Sequence, residues 1–515
     1  MKGRRLDQRS AGLLVHPTSL TGAYESGDLG PSARRFVDFL ASAKVAWWQM
    51  LPLGPAGHGG SPYSSTSVFA GNPNLVSIES LVEDGLLDAS DPSALPAPNR
   101  GDKADLVEGE ARRGRALSVA FERAKAQPDV MRALAQFAEQ QAYWLDDYAL
   151  FAALKRAHGG VAYSAWPEPL RTRKPAELQA FASDRADAVL FEKFVQYRFA
   201  KDLDALVRHA RDKNVSLMGD APIYVAHDSA DVWAHPEIFQ LDASGEPTHV
   251  AGVPPDAFSD DGQLWGNPLY DWEHLERTGF GFWIARLARL FETFDAVRLD
   301  HFIGFSRYWA VARGAKSAKE GTFHDVPGKA LFDAVFRSLG PVQLIAEDLG
   351  VVTDAVRALR DHFRLPGMSV LLFSFSPGAH AEGSRAHRFA TNSIVYTGTH
   401  DNDTTAGWFS GPPDNASASS RAHWQAEQGF AREYLDVPND ASPEACARAL
   451  LIAALRNHAT TAVVPVQDLL GQGRHARMNR PGIAEGNWTY RLKDGDLTDE
   501  VAASLARKVE IYGRG

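Results

Sequence analysis

Eight short apolar runs recur along the chain, at 12–15, 47–53, 215–225, 296–302, 342–349, 368–375, 393–399 and 461–469, each closed by polar or turn residues. Their apolarity is continuous rather than alternating. That pattern predicts strands buried on both faces, as in a parallel sheet covered by helices. Between many of the runs the period changes. Trp283, Leu287, Leu290, Phe291 and Phe294 fall at i, i+4, i+7, i+8 and i+11, one stripe of an amphipathic helix. Leu331, Val335, Phe336 and Leu339 do the same on a shorter segment, and Leu203, Leu206, Val207 and Ala210 precede the third run. Strand and helix alternating in this way predict an α/β fold, a (β/α)8 TIM barrel with inserted, mainly helical subdomains. A doubly wound open sheet is the alternative, but no Gly-rich phosphate fingerprint follows the first strand.

Two intervals are too long for simple barrel connections. Residues 1–73 hold the first two strands. Residues 74–200, with Pro-rich breaks at 94–98 and 166–175, read as an inserted helical subdomain. Residues 201–225 bring in the third strand, 226–280 read as a long loop or insertion on the active-site face, and 281–515 hold the remainder of the barrel.

A chain of 515 residues suits one large barrel with insertions. The net charge of -10, with no long basic run beyond Lys2 to Arg5, excludes nucleic acid as a partner. No run approaches a membrane span, and the apolar stretch 11–15 is too short for a signal-peptide core. Cys446 is the only cysteine, which excludes an internal disulfide and a Cys-based metal site. A reduced, cytoplasmic compartment is expected.

Three of the runs carry an acid near or just past their C-terminal ends: Asp300, Glu347 and Asp401. An acid at the C-terminal end of a barrel strand points toward the active-site mouth. Arg298 shares a strand face with Asp300 and favours its carboxylate form, which suits a nucleophile, although a structural ion pair would look the same. Glu347, taken alone, reads as a structural or metal-binding acid rather than a proton donor, and Asp401 as a turn or helix cap. Together they fit glycoside chemistry. In a retaining site two carboxyl groups, roughly 5–5.5 Å apart, attack the anomeric carbon and shuttle the proton. A third acid can stabilise the developing charge. Tyr63, Trp233, Phe258, Trp265, Tyr270, Trp408 and Trp488 fall in loops, where aromatic rings can stack on sugars or simply pack on the barrel.

Longer motifs add to this. Ser61-Pro62-Tyr63-Ser64-Ser65, Phe69-Ala70-Gly71-Asn72-Pro73, Gly219-Asp220-Ala221-Pro222-Ile223-Tyr224-Val225, Gly262-Gln263-Leu264-Trp265-Gly266-Asn267-Pro268, Val297-Arg298-Leu299-Asp300-His301-Phe302, Ala346-Glu347-Asp348-Leu349-Gly350 and Tyr396-Thr397-Gly398-Thr399-His400-Asp401-Asn402-Asp403 occur in this order. The set resembles the 4-α-glucanotransferases (amylomaltases), relatives of the α-amylases, over nearly the whole chain. The resemblance implies a retaining double displacement on α-1,4-glucans. Maltooligosaccharides, amylose or glycogen-derived chains would be donors, and glucan or glucose the acceptor. It assigns Asp300 as nucleophile, Glu347 as general acid/base and Asp401 as donor-sugar ligand. Arg298 would position Asp300, His400 and Asp220 would hold sugar hydroxyls, and Tyr63, Asp256, Trp265 and Asn487 would line the groove. It implies no cofactor, no metal, no nucleic acid and no membrane. Hydrolysis with weak transfer, a metal-dependent barrel enzyme and a non-catalytic glucan scaffold are the alternatives. The sequence departs from the family pattern at Ala257 (usually Tyr), Ile303 (usually Arg), His58 (commonly aromatic) and Ile483 (usually Thr), which bears on acceptor choice and on transfer against hydrolysis.

Overall fold

The computed structural model describes residues 3–97, 102–255, 261–378, 383–412, 417–483 and 485–515. Twelve strands lie among them: β1 (Ser10–Leu14), β2 (Trp47–Gln49), β3 (Ser216–Ala221), β4 (His249–Val253), β5 (Gln263–Pro268), β6 (Ala296–Leu299), β7 (Arg307–Ala312), β8 (Thr322–Asp325), β9 (Leu344–Ala346), β10 (Gly367–Val370), β11 (Ser393–Tyr396) and β12 (Thr461–Pro465). Eight of these close into a barrel in the order β1-β2-β3-β6-β9-β10-β11-β12, and all eight pairings are parallel. These are the eight apolar runs, and the fold is a (β/α)8 barrel.

Most of the strands stop short of their runs, and proline marks two of the ends. β3 ends one residue before Pro222, which has no N–H to give to a ladder. β12 ends on Pro465, and its apolar continuation becomes a helical turn, Val466–Leu469. Gly219 in β3 answers a close approach: a Cβ there would fall 2.4 Å from the Phe294 ring.

A second sheet, β5-β4-β7-β8, is antiparallel and stands outside the barrel. Two of its strands lie inside 226–280, the stretch expected to be a loop. They escape the apolar pattern because β5 is largely exposed and β4 is buried at only two positions. The boundary expected at residue 200 also falls inside one helix, Ala186–Asp212. That helix carries Phe194 and Phe199 in its first half and Leu203, Leu206, Val207 and Ala210 in its second, all buried, so one rod serves both the insertion and the barrel.

Buried ion pairs fix the inserted helices to the loop after β1. Arg112, in the helix Leu106–Lys125, donates to Glu25 Oε1 at 2.7 Å, and Arg113 donates to Asp28 Oδ2 at 3.1 Å and to the Ser26 and Val76 carbonyls. At the other end of the chain, Arg514 is fully buried. It donates to the carbonyls of Ser10, Thr460, Asn457, Ala459, Leu455 and Ala454, clasping β1 to the turn that leads into β12.

Candidate active site

Strand register places the first polar pair. Asp220 on β3 and Arg298 on β6 are direct neighbours across the ladder. Arg298 Nη1 donates to both Asp220 oxygens at 2.8 Å, and its Nη2 pairs with Asp300 Oδ1 at 2.9 Å. Burial opposes the charge on Arg298, but Asp220, Asp300, Tyr63 and Glu347 outweigh it and push its pKa further up. Burial raises the pKa of Asp220, against the pull of Arg298. Tyr63 donates its hydroxyl to Asp220 Oδ2 at 2.7 Å, and burial together with Asp220 keeps that phenol protonated.

The chain turns sharply after Asp300. His301 adopts the left-handed conformation, with φ 49° and ψ 54°. The turn aims its N–H at Glu347 Oε2, 2.6 Å away, while Phe302 N–H bonds the Glu347 carbonyl at 2.9 Å. Asp300 and Glu347 are thus held to each other through one short backbone segment. Burial raises the Glu347 pKa to about 8, with Asp300 adding to the rise and Arg298 and the backbone N–H groups opposing it. Asp348 points the other way, accepting from Met368 N–H at 2.8 Å and from Arg360 at 2.5 Å.

At the end of β11, Asp401 accepts from Asn479 Nδ2 at 2.6 Å, and its carbonyl accepts from Arg477 at 2.5 Å. His400 Nε2 lies 3.4 Å from Asp401 Oδ1. The His400 ring stacks on Tyr63 with centroids 5.0 Å apart, and Trp488 closes the group at 5.9 Å from Tyr63 and 6.1 Å from His400. Asp220, Arg298, Asp300, Glu347, Tyr63, His400 and Asp401 are therefore one cluster at the C-terminal end of the barrel. Trp265, on β5, meets His301 edge-on at 4.9 Å.

Other expected groove residues stand elsewhere. Asn487 spends its side chain on its own loop: Oδ1 accepts from Arg480 N–H at 2.9 Å, and Nδ2 donates to the Ile483 and Arg480 carbonyls at 2.7 and 3.3 Å. It braces the segment 480–487. Asn487→Ala removes all three bonds and is expected to speed amide hydrogen exchange across 480–483 at least about fivefold, the loss of about 1–3 kcal/mol of local protection. Unchanged exchange in that segment would dismiss the bracing role. Trp233 donates to the Leu170 carbonyl and packs on Phe151 and Trp166, Tyr270 donates to the Ile223 carbonyl, and Trp408 packs on Trp424. These three are packing residues. Asp256, Ala257 and Phe258 lie outside the described residues, as does the side chain of His58. Asn479 and Arg477, both on Asp401, carry no signal in the sequence beyond lying in the polar stretch 477–482.

Among the described residues, no group of three or more His, Cys, Asp or Glu side chains is arranged to hold a metal ion, and no helix is long and apolar enough to cross a membrane.

A parallel barrel with acids from three strand ends gathered in one partly buried cluster defines a carboxylate-chemistry enzyme of the (β/α)8 class. The comparisons narrow that class. The sequence pattern of the family described as 4-alpha-glucanotransferase matches residues 15–498. The chain is 46% identical over 511 residues to a 4-alpha-glucanotransferase of Thermus thermophilus, covering 98% of this chain and 99% of that one. It is 41% identical to one from Synechocystis sp., covering 99% of both. The structure of an amylomaltase from Streptococcus agalactiae in complex with acarbose superposes with a TM-score of 0.92 at 33% identity, covering 99% of this chain and 100% of that one. This chain belongs to the 4-alpha-glucanotransferase family and is a glucan-transferring enzyme of the barrel type.

Proposed function

We propose that the cluster cleaves and re-forms α-1,4-glucosidic bonds by double displacement. Asp300 attacks the anomeric carbon while Glu347 gives its proton to the departing glycosidic oxygen. The glycosyl group then rests on Asp300 as an ester. The 4-OH of an acceptor sugar attacks it, Glu347 takes the acceptor's proton back, and the Asp300–carbon bond breaks. Asp401, oriented by Asn479 and Arg477, lies against the donor sugar and steadies its positive charge. Tyr63, His400 and Asp220 form the polar floor beneath that sugar, with Trp488 at its edge.

The single observation that carries this reading is the unlike setting of two acids tied by one turn. Glu347 is buried and holds its proton to about pH 8, whereas Asp300 has the Arg298 guanidinium on its oxygen at 2.9 Å. Two carboxyl groups in unlike settings are what acid and nucleophile roles require. The similarity to an amylomaltase seen with acarbose supports an α-glucan as the ligand.

Incubation with maltotriose tests the activity. Longer oligomers with glucose are expected; maltose and glucose alone would mean hydrolysis and would overturn transfer. The pH profile tests the assignment. Because the Glu347 pKa is raised, its acid form is present below about pH 8 and lost above it. The kcat/KM for maltotriose should therefore fall as pH rises through about 8, approaching tenfold per unit. A profile flat to pH 10 would remove Glu347 as the proton donor.

A further inference from the structure

The three nitrogens of the Arg298 guanidinium have unlike partners. Nη1 donates to both oxygens of Asp220 at 2.8 Å, and Nη2 pairs with Asp300 Oδ1 at 2.9 Å. Nε serves neither acid. It donates to Met368 Sδ, 3.4 Å away, in a buried contact that joins β6 to β10. The double displacement described above makes no use of that thioether.

Its value lies in what happens to the other two contacts. Asp220 anchors only the Nη1 corner of the planar group. The bond to Asp300 changes during the reaction: as the proposed ester forms, Asp300 loses its charge, and a hydrogen bond to a neutral oxygen is weaker than one to a carboxylate. At that stage Asp220 and Met368 are what hold the cation. A thioether is a weak, uncharged acceptor. It gives a buried N–H the partner it needs, and it does so without drawing the cation away from Asp300, as a third carboxylate would.

Met368 is itself fixed. Its N–H is given to Asp348 Oδ1 at 2.8 Å, and Arg360 holds Asp348 Oδ2 at 2.5 Å. Gly367, just before it, pairs with Ala346 across β9 and β10, and a Cβ there would fall 2.7 Å from Asp348 Oδ2. The two acids that follow β9 thus divide their tasks. Glu347 faces the cluster, and Asp348 fixes the strand that carries the sulfur. We propose that Met368 is a positioning residue for transfer: its thioether holds Arg298 Nε, so that Nη2 stays aimed at Asp300 through both displacements. This rests on the nucleophile role proposed for Asp300.

Two substitutions separate an acceptor from a space-filler. Met368→Leu conserves the volume and removes the acceptor, whereas Met368→Gln keeps the length and offers an oxygen. With rates taken per folded enzyme, Met368→Leu should lower kcat for maltotriose about tenfold and leave KM within about twofold, because the aim of Arg298 matters most where Asp300 bonds to carbon. Met368→Gln should run at least about threefold faster than the leucine variant. Packing alone predicts the reverse order, with leucine the milder change. A leucine variant whose kcat stays within about twofold of native would overturn the proposal, and so would a glutamine variant no faster than the leucine one. If the glutamine chain does not fold, the leucine kcat decides alone. Native transfer from maltotriose is measured first. Its absence would strike the proposed function, and this inference with it, whereas the order of the two variants strikes this inference only.

Discussion

Glu347→Gln is expected to slow glucan transfer by about 10³–10⁴-fold while maltooligosaccharide binding stays within a few fold. The substitution keeps the shape of the side chain and removes the proton that the proposed mechanism has it give and take in both displacements. The site accommodates the amide incompletely. In the native chain, Glu347 receives two backbone N–H groups, from His301 on Oε2 and Leu349 on Oε1. An amide presents one oxygen and one NH2, so one of those donors faces another donor. The weaker partner, Leu349 at 3.3 Å, is the one expected to yield, leaving the His301 turn and the link to Asp300 in place. A second measurement separates chemistry from structure. A donor whose leaving group needs no protonation, such as maltosyl fluoride, should restore formation of the glycosyl–enzyme in the variant. A variant that keeps a tenth of the native rate on maltotriose, or one that fluoride donors cannot help, would take the proton-shuttling role away from Glu347.

Arg298→Met should be the most damaging change to stability in the barrel mouth. The guanidinium is 6% exposed and the Asp220 side chain fully buried. Removing the cation leaves Asp220 and Asp300 facing each other without a counter-charge, a loss of about 3–5 kcal/mol against denaturant. Activity should fall below detection in the same variant, because Asp300 loses the contact that aims its oxygen. The double variant with Asp220→Asn discriminates. It removes one of the stranded charges and should recover more than half of the stability without recovering transfer. If the two single changes simply add, Arg298 and Asp220 do not act as the unit that their 2.8 Å contacts describe.

The barrel was legible because its strands are apolar on both faces, so each appears as an unbroken run whatever its neighbours do. The three acids were legible for a related reason: a polar residue that ends such a run is conspicuous. The outer sheet was not. β5 exposes most of its residues and β8 all of them, so burial leaves no pattern to read. Asn487 shows the limit of motif reading at the level of one side chain. Its place in a groove-lining stretch says nothing about whether its amide faces a sugar or its own backbone. Asn479, which orients Asp401, is invisible for the opposite reason, since nothing in a polar loop marks the one amide that reaches across 78 positions to a strand end.

The clasp made by Arg514 bears on when the molecule can first work. It joins Ser10 to a side chain 504 positions later, and five more carbonyls depend on the same guanidinium. On a ribosome adding roughly 5–20 residues per second, the first strand waits for about half a minute or longer before that cation exists. β12 is made before Arg514 and can already pair with β1, but until that side chain arrives the turn into β12 is not pinned to the first strand. The nascent chain therefore carries all of its proposed catalytic side chains before the barrel seam is locked, and activity should rise late, with the last residues, rather than grow with length.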